Sequence, residues 1–356
     1  MKFKRIMITG GAGFVGSSIA LRLRSNWPST RITCIDNLHR KGSTLNLVRL
    51  KKAGIDFIRA DVRNRKTFDR SRFDLIIDAA AEPSVMAGVG GSDVKYVIDT
   101  NLGGTLNILE AARIWESAVL FISTSRVYPL QALRNIRLDE KETRFEISEK
   151  QSLPGISVKG ISELFPTQGV RTLYGATKYA SEIMASEYAE QYGIKVLLDR
   201  CGVIAGPWQM GRVDQGIIAL WISAHYYGLP LSYIGYKGKQ VRDLIHVDDF
   251  ADLVIAQINS GFDVWDGRVY NVGGGRACSL SLLELSELAR EITGRSLKIK
   301  KIATTRVGDV PLYITDARKV QQAFAWKPQK SAVSIVADTA RWIADYRDIL
   351  AKVFCK

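Results

Sequence analysis

Long hydrophobic runs are missing from this 356-residue chain. No stretch approaches the roughly 20 apolar residues that cross a bilayer, which argues against an integral membrane protein. The opening Met-Lys-Phe-Lys-Arg passes at once into a strand-like run, a pattern unlike a secretory leader. Cysteine is scarce: Cys34, Cys201, Cys278 and Cys355 are scattered, with no C-x-x-C pair. That argues against a disulfide framework and fits reduced thiols in a cytoplasmic setting. The three histidines, His39, His225 and His246, have no ligand-like spacing, so no metal site is expected. Acidic residues are outnumbered, 36 against 50 Lys and Arg, for a net charge of +14. A basic surface attracts anions. The positive residues are spread along the chain, without an RNA-binding aromatic signature or a basic amphipathic helix, so neither nucleic acid nor membrane is an expected partner.

Glycine is well supplied where it counts. The run Arg5-Ile-Met-Ile-Thr-Gly-Gly-Ala-Gly-Phe-Val-Gly16 is strand-like, turns through Gly10, Gly13 and Gly16, and enters a helical pattern. Gly11-Ala-Gly13-Phe-Val-Gly16 fits G-x-G-x-x-G, the dinucleotide-binding fingerprint. Glycine allows the tight turn and lets backbone N–H groups, including those at Phe14 and Val15, approach a pyrophosphate. Asp36 follows Gly16 by twenty residues and closes a second apolar run, Arg31-Ile-Thr-Cys-Ile-Asp36. An acid there accepts hydrogen bonds from adenosine ribose hydroxyls.

Strand-like runs at 4–9, 31–36, 55–60, 73–79, 118–123 and 195–200 alternate with helical patterns near 14–25, 42–53, 93–115 and 174–192. This alternation predicts a doubly wound α/β fold, a parallel sheet with helices on both faces. Residues 129–172 break it and read as a long, partly ordered excursion. After residue 200 the pattern is irregular, with an amphipathic helix at 279–293. The expected division is a dinucleotide domain at 1–201, with 239–262 returning to it. A smaller mixed α/β lobe at 202–238 and 263–356 would take the substrate.

Tyr174-Gly-Ala-Thr-Lys178 opens an alanine-rich helix and puts Tyr174 and Lys178 on one face. An ammonium beside a phenol favours the phenolate, which gives a general base for an alcohol proton during hydride transfer. Ser123-Thr-Ser-Arg-Val-Tyr128 follows a strand and places hydroxyls beside the cofactor.

With these motifs the chain resembles the extended short-chain dehydrogenase/reductases, the nucleotide-sugar epimerase and dehydratase group. The resemblance spans nearly the whole length. It implies Thr124, Tyr174 and Lys178 as a catalytic trio and NAD as cofactor. Gly10, Gly13, Phe14, Val15, Gly16, Asp36, Asn37, Arg40, Asp61, Val62, Ala79, Ala80, Ala81, Asn101 and Ser123 would line the cofactor site together with Tyr174 and Lys178. Asp36 and Asn37 would meet the ribose, and Asp61 and Val62 would flank the adenine. Arg40 and Lys41 keep NADP in view, but Asp36 would repel a 2′-phosphate. Arg242 and Arg306 would grip a substrate diphosphate, where guanidinium forks suit phosphate oxygens. Ser84, Arg126, Val203, Gln209, Arg212, Asp214, Gln215 and Asp309 complete the implied substrate site. Relatives in the group commonly pair, so a homo-oligomer, dimer or tetramer, is expected.

Within the group, 4,6-dehydratases carry an Asp-Glu pair immediately after the catalytic threonine. Here those places hold Ser125 and Arg126, so no acid is left to protonate a leaving hydroxyl. The segments 200–216, 238–246 and 140–145 look like the CDP-paratose 2-epimerase branch, which implies a CDP-hexose substrate. The chain departs from the wider group at Asp78, where a histidine is frequent, at Pro129, where glycine is usual, and at Ala205, which replaces a frequent tyrosine. Two other readings stay open: a UDP-sugar 4-epimerase with the same trio, and a non-catalytic dinucleotide-sensing regulator. The latter often lacks the Tyr/Lys pair.

Overall fold

The computed structural model describes residues 3–69, 71–211 and 215–355. Its centre is a seven-stranded sheet. In spatial order the strands are Asp266–Val272, Val196–Cys201, Ala118–Thr124, Leu75–Asp78, Arg5–Thr9, Arg31–Asp36 and Asp56–Arg59. All pairings are parallel. The strands read as near-continuous apolar runs because both faces are covered. Ile6, Ile8, Ile32, Leu75, Ile77, Leu120 and Leu197 face the helices Phe14–Asn26 and Val247–Asn259, where Ile19, Leu23, Phe250 and Val254 meet them. Met7, Ile35, Ile76, Val119, Phe121 and Leu198 face the other way, toward Ile108 and Leu109 of helix Gly104–Trp115 and Ala185 of helix Leu173–Tyr192.

The doubly wound architecture agrees with the sequence, and so do the six expected strands. The seventh strand does not follow the expected division. Asp266–Val272 pairs along Val196–Cys201, so the sheet takes in residues beyond the boundary at 263. Its side chains explain why: Tyr270 and Val272 are buried in the same core as Leu197 and Phe250.

The strand order reverses between Arg5–Thr9 and Leu75–Asp78. Chain segments leave this switch point in opposite directions, and a crevice opens at the carboxyl ends. The smaller lobe overhangs it. Strands Val203–Ala205, Val241–His246, Ser279–Ser281 and Leu312–Tyr313 form one sheet. Helices Ile217–Tyr227, Leu282–Thr293 and Ala332–Asp345 pack around Trp221, Ile222, Leu285, Ile335 and Trp342.

The excursion at 129–172 is ordered more fully than its composition implies. It folds into a short helix, Leu130–Arg134, and two antiparallel hairpins, Leu138–Glu140 with Phe145–Ile147 and Ile156–Ser157 with Gly160–Ile161. It has apolar anchors of its own: Leu133, Ile136, Ile147, Ile161 and Phe165 pack on Val241, Val310, Leu312 and Ile314 of the smaller lobe. Backbone bonds fasten it further. Ile161 N–H donates to the Ile314 carbonyl at 2.8 Å, and Asp316 N–H donates to the Ile161 carbonyl at 2.9 Å.

Candidate active site

The loop after the first strand is wound too tightly for side chains. Gly10 has φ +61°, and a Cβ there would lie 2.6 Å from the Ala79 carbonyl oxygen across the switch point. A Cβ at Gly13 would come within 2.9 Å of the Gly10 carbonyl, and one at Gly16 would overlap it. The helix that follows starts at Phe14 with no side-chain cap and no acid in its first turn. Its N–H groups and dipole are therefore left to an anion. Asp36 stands beside this loop and accepts from Ala12 N–H at 3.2 Å and Leu38 N–H at 2.7 Å. Burial raises its pKa, and the backbone donors oppose that. A cradle that any Cβ would fill, an uncapped helix start and a neighbouring acid fit a dinucleotide.

Other expected cofactor residues are already engaged with each other. Asn37 Nδ2 donates to Asp61 at 2.9 Å, and the Arg63 guanidinium bonds both Asp61 oxygens. Arg63 thereby holds the Asp61 carboxyl well below the usual range. Val62 is buried where a Cβ on Gly104 would press on it. Arg40 donates to Gln215 of the smaller lobe, and Lys41 Nζ donates to the Val353 carbonyl at 3.2 Å. Both cations that could meet a 2′-phosphate thus point toward the smaller lobe.

Thr124, Tyr174 and Lys178 line one cavity of about 530 Å³ with Phe14, Val15, Ala79, Ala81 and Ser123. Thr172 caps the helix Leu173–Tyr192 by accepting from Gly175 N–H at 3.3 Å. Gly175 is needed for another reason: a Cβ there would overlap the Arg126 carbonyl. The absence of that carbon lets the helix close on the 124–127 turn and brings the Tyr174 hydroxyl to Thr124.

The electrostatics differ from the expected pairing of phenol and ammonium. Burial pushes Tyr174 up to about 12, against a hydrogen bond with Thr124 and the charge of Arg126. Lys178 Nζ lies 3.8 Å from the Phe121 ring centroid, and burial draws it down to about 8. A cation that acts on the phenol is Arg126, which the sequence assigned only to substrate.

At the far end, Arg126, Val203, Gln209, Gln215, Arg242, Arg306 and Asp309 all line the same cavity. Arg126 donates to the Gly308 carbonyl at 3.0 Å. Arg242 donates from one arm of its fork to Asp309 at 2.6 Å and the Val310 carbonyl at 2.8 Å, and from the other to the Val241 carbonyl at 2.8 Å, so the fork is held in place. Arg212 and Asp214 lie outside the described residues.

Four expected site residues direct their polar groups elsewhere. Asn101 is fully buried, accepting from Glu82 N–H at 2.8 Å and donating to Thr177 at 3.2 Å. It ties the segment after the fourth sheet strand to the catalytic helix instead of facing the cavity. The Ser84 hydroxyl accepts from Met86 N–H at 3.1 Å, and Ala80 N–H turns to Thr9. Ser123 lines the cavity, but its hydroxyl donates to Glu182.

Sequence reasoning missed the apolar wall formed by Trp221, Leu231, Leu280, Leu282 and Leu285, and the cavity-lining Gln240. The wall residues sit in core-like patterns, and nothing local separates a leucine facing a cavity from one facing a neighbour. Among the described residues no His/Cys/Asp/Glu cluster could hold a metal, and no helix is long and apolar enough to cross a membrane.

Known proteins resemble this chain in sequence and fold. The CDP-paratose 2-epimerase of Salmonella typhi is 29% identical, over 95% of this chain and 98% of its own. A dTDP-glucose 4,6-dehydratase of Actinoplanes sp. is 27% identical over 95% of this chain and 97% of its own. The solved Thermus thermophilus UDP-glucose 4-epimerase in complex with NAD superposes with a TM-score of 0.74 at 25% identity, covering 96% of this chain and 99% of that one. The profile of the NAD dependent epimerase/dehydratase family matches residues 6–273. This chain belongs to that family of NAD-dependent enzymes acting on nucleotide sugars.

Proposed function

We propose that the chain epimerises a CDP-hexose at C2, converting CDP-paratose to CDP-tyvelose. The observation that carries an epimerase reading is the shared cavity of Thr124, Tyr174 and Lys178, with Ser125 and Arg126 in place of acids that would expel water. The CDP assignment draws its support from the Salmonella relative and from the 200–216 and 238–246 segments.

NAD, when bound, would supply the hydride acceptor and donor through which the sugar carbon is oxidised and then reduced, with no net redox change. Gly10, Gly13 and Gly16 would admit its pyrophosphate, Asp36 its adenosine ribose, and Lys178 its nicotinamide ribose. Tyr174, as phenolate, removes the proton from the C2 hydroxyl as the carbon is oxidised, and gives it back when the ketone is reduced from the other face. Thr124 hydrogen-bonds the reacting oxygen. Arg242 and Arg306 hold the diphosphate while the sugar turns, so binding energy remote from the chemistry offsets the cost of two poses. Gly202 lines the turning space; Ala205 does not. Burial keeps Tyr174 protonated near neutral pH even with the charge of Arg126 acting on it, so the base would form once the oxidised nicotinamide adds its own positive charge.

The test is incubation of the purified protein with CDP-paratose, UDP-glucose and UDP-glucuronic acid, followed by proton NMR. Inversion at C2 of the CDP-sugar alone supports the proposal. Inversion at C4 of a UDP-sugar replaces it with the UDP-sugar 4-epimerase reading. Dinucleotide binding without turnover of any of the three favours a sensing regulator. Pairing between copies fits the exposed Ile98, Ile114, Ile183 and Tyr192 on the helices 94–115 and 173–192, and sedimentation velocity checks it.

A further inference from the structure

The catalytic lysine is a buried cation without an ion pair. Lys178 is 2% exposed, and among the described residues no carboxylate lies within ion-pair distance of it. Asp78 is its counterpart, a carboxyl group 1% exposed at the end of strand Leu75–Asp78 with no cation in contact. Its oxygens accept from neutral donors, the Thr9 hydroxyl at 2.7 Å, the Thr105 hydroxyl at 3.0 Å and the Ala80 N–H at 3.4 Å.

The two belong to one row of the sheet. Thr9 pairs with Asp78 in register, and Asp78 pairs with Phe121 on the next strand. In-register neighbours project from the same face, about 4.8 Å apart. Lys178 Nζ lies 3.8 Å from the Phe121 ring centroid. The ammonium therefore stands over the strand adjacent to the carboxylate, on the carboxylate's own face, and unlike charges in a low-dielectric interior act across such a gap without touching. The other groups around Lys178 offer less. Glu182, one turn along its own helix, is taken by three N–H contacts from Arg200. Cys201, on strand Val196–Cys201, is a buried thiol kept neutral by burial. Tyr174 is a protonated phenol in the cofactor-free protein.

We propose that Asp78 is a positioning residue that acts through Lys178, holding its ammonium charged and over Phe121, ready for the nicotinamide ribose. Burial draws Lys178 down, and Asp78 is the largest influence in the opposite direction. The inference rests on the assignment of Tyr174 and Lys178 as the catalytic pair.

The test reads Lys178 directly in the cofactor-free protein. The rate of Lys178 acetylation by acetic anhydride is followed against pH by mass spectrometry in wild type, Asp78→Asn, Asp78→Glu and Thr105→Val. Wild type has its midpoint near 8. Asp78→Asn lowers it by about one pH unit, a roughly fivefold faster labelling at neutral pH, as loss of an opposing charge requires. Asp78→Glu restores most of the shift, and Thr105→Val, which removes a hydrogen bond to Asp78 but keeps the charge, leaves the midpoint in place. An unchanged midpoint in Asp78→Asn, or an equal shift in Thr105→Val, overturns the proposal. With substrate, the alkaline limb of kcat moves down by the same interval while KM stays constant. A shifted midpoint in a protein without epimerase activity upholds the pairing and removes the proposed function instead.

Discussion

The two ends of the cavity are built in different materials. The dinucleotide end is made of backbone: three glycines that admit no Cβ, an uncapped helix start, and an acid at the close of the adjacent strand. The sugar end is made of side chains gathered from distant segments, among them Arg126, Gln209, Arg242 and Asp309. A backbone site tolerates no substitution at its few glycines and recognises what all dinucleotides share. A side-chain site can be re-specified one residue at a time while the chemistry between the two ends stays fixed.

Tyr174→Phe should have the largest effect, a loss in kcat of about 10²–10⁴-fold with retained dinucleotide, because it removes the proton carrier and no contact of the backbone cradle. NMR turnover and cofactor content after desalting measure the two halves; loss of both would erase the contrast. Gly10→Ala should come next. At φ +61° and 2.6 Å from the Ala79 carbonyl oxygen, the new carbon distorts the switch point, so dinucleotide affinity should fall by more than about tenfold. Fluorescence titration with NADH checks it, and near-native affinity would show that the cradle is softer than its geometry. Arg242→Met should weaken binding of the nucleoside diphosphate by about tenfold or more, since it removes a charged fork and strands Asp309. NADH affinity should not move; calorimetry with both ligands separates the ends.

The smallest expected effect concerns stability. Asp199, buried beneath helix Val247–Asn259, is pushed up to about 7 by burial, with Gln257 Nε2 donating to it at 2.8 and 3.1 Å. A carboxyl raised above its unfolded value stabilises the fold fully below about pH 4, and that contribution is lost as pH rises through about 7. Asp199→Asn keeps an acceptor and adds a donor for Gln257 Oε1, which has no partner. It should raise Tm at pH 8 by about 2–4 °C for each kcal/mol recovered and change little at pH 4. A scan of Tm against pH reads it.

The same difference in material governs what a reader of the sequence can see. Glycine spacing, the Tyr174/Lys178 interval and the six apolar strands are local patterns, and each was legible. Asn101 was not, because its position in the motif says nothing of where the carboxamide points; a bond to Glu82 and another to Thr177 decide that. The place of Arg126 beside Tyr174 was hidden for a similar reason. One helical turn of spacing brings two side chains near, but it does not say that the ammonium meets the Phe121 ring or that the phenol has Arg126 acting on it. The apolar wall around Trp221 belongs to helices whose periodicity reports burial, which a cavity and a core share.

The hairpins of residues 129–172 act as a strap between parts of the chain that would otherwise meet only at the crevice. Ile161 is stitched to Ile314 and Asp316, and Tyr128, leaving the 124–127 turn, reaches Asn271 of the outermost sheet strand at 2.8 Å. Such lacing discourages a clamshell movement of one lobe against the other. A ligand that must tumble between two faces of the same reagent then does so inside walls that hold still, and the timing of each turnover belongs to the guest's own rotation.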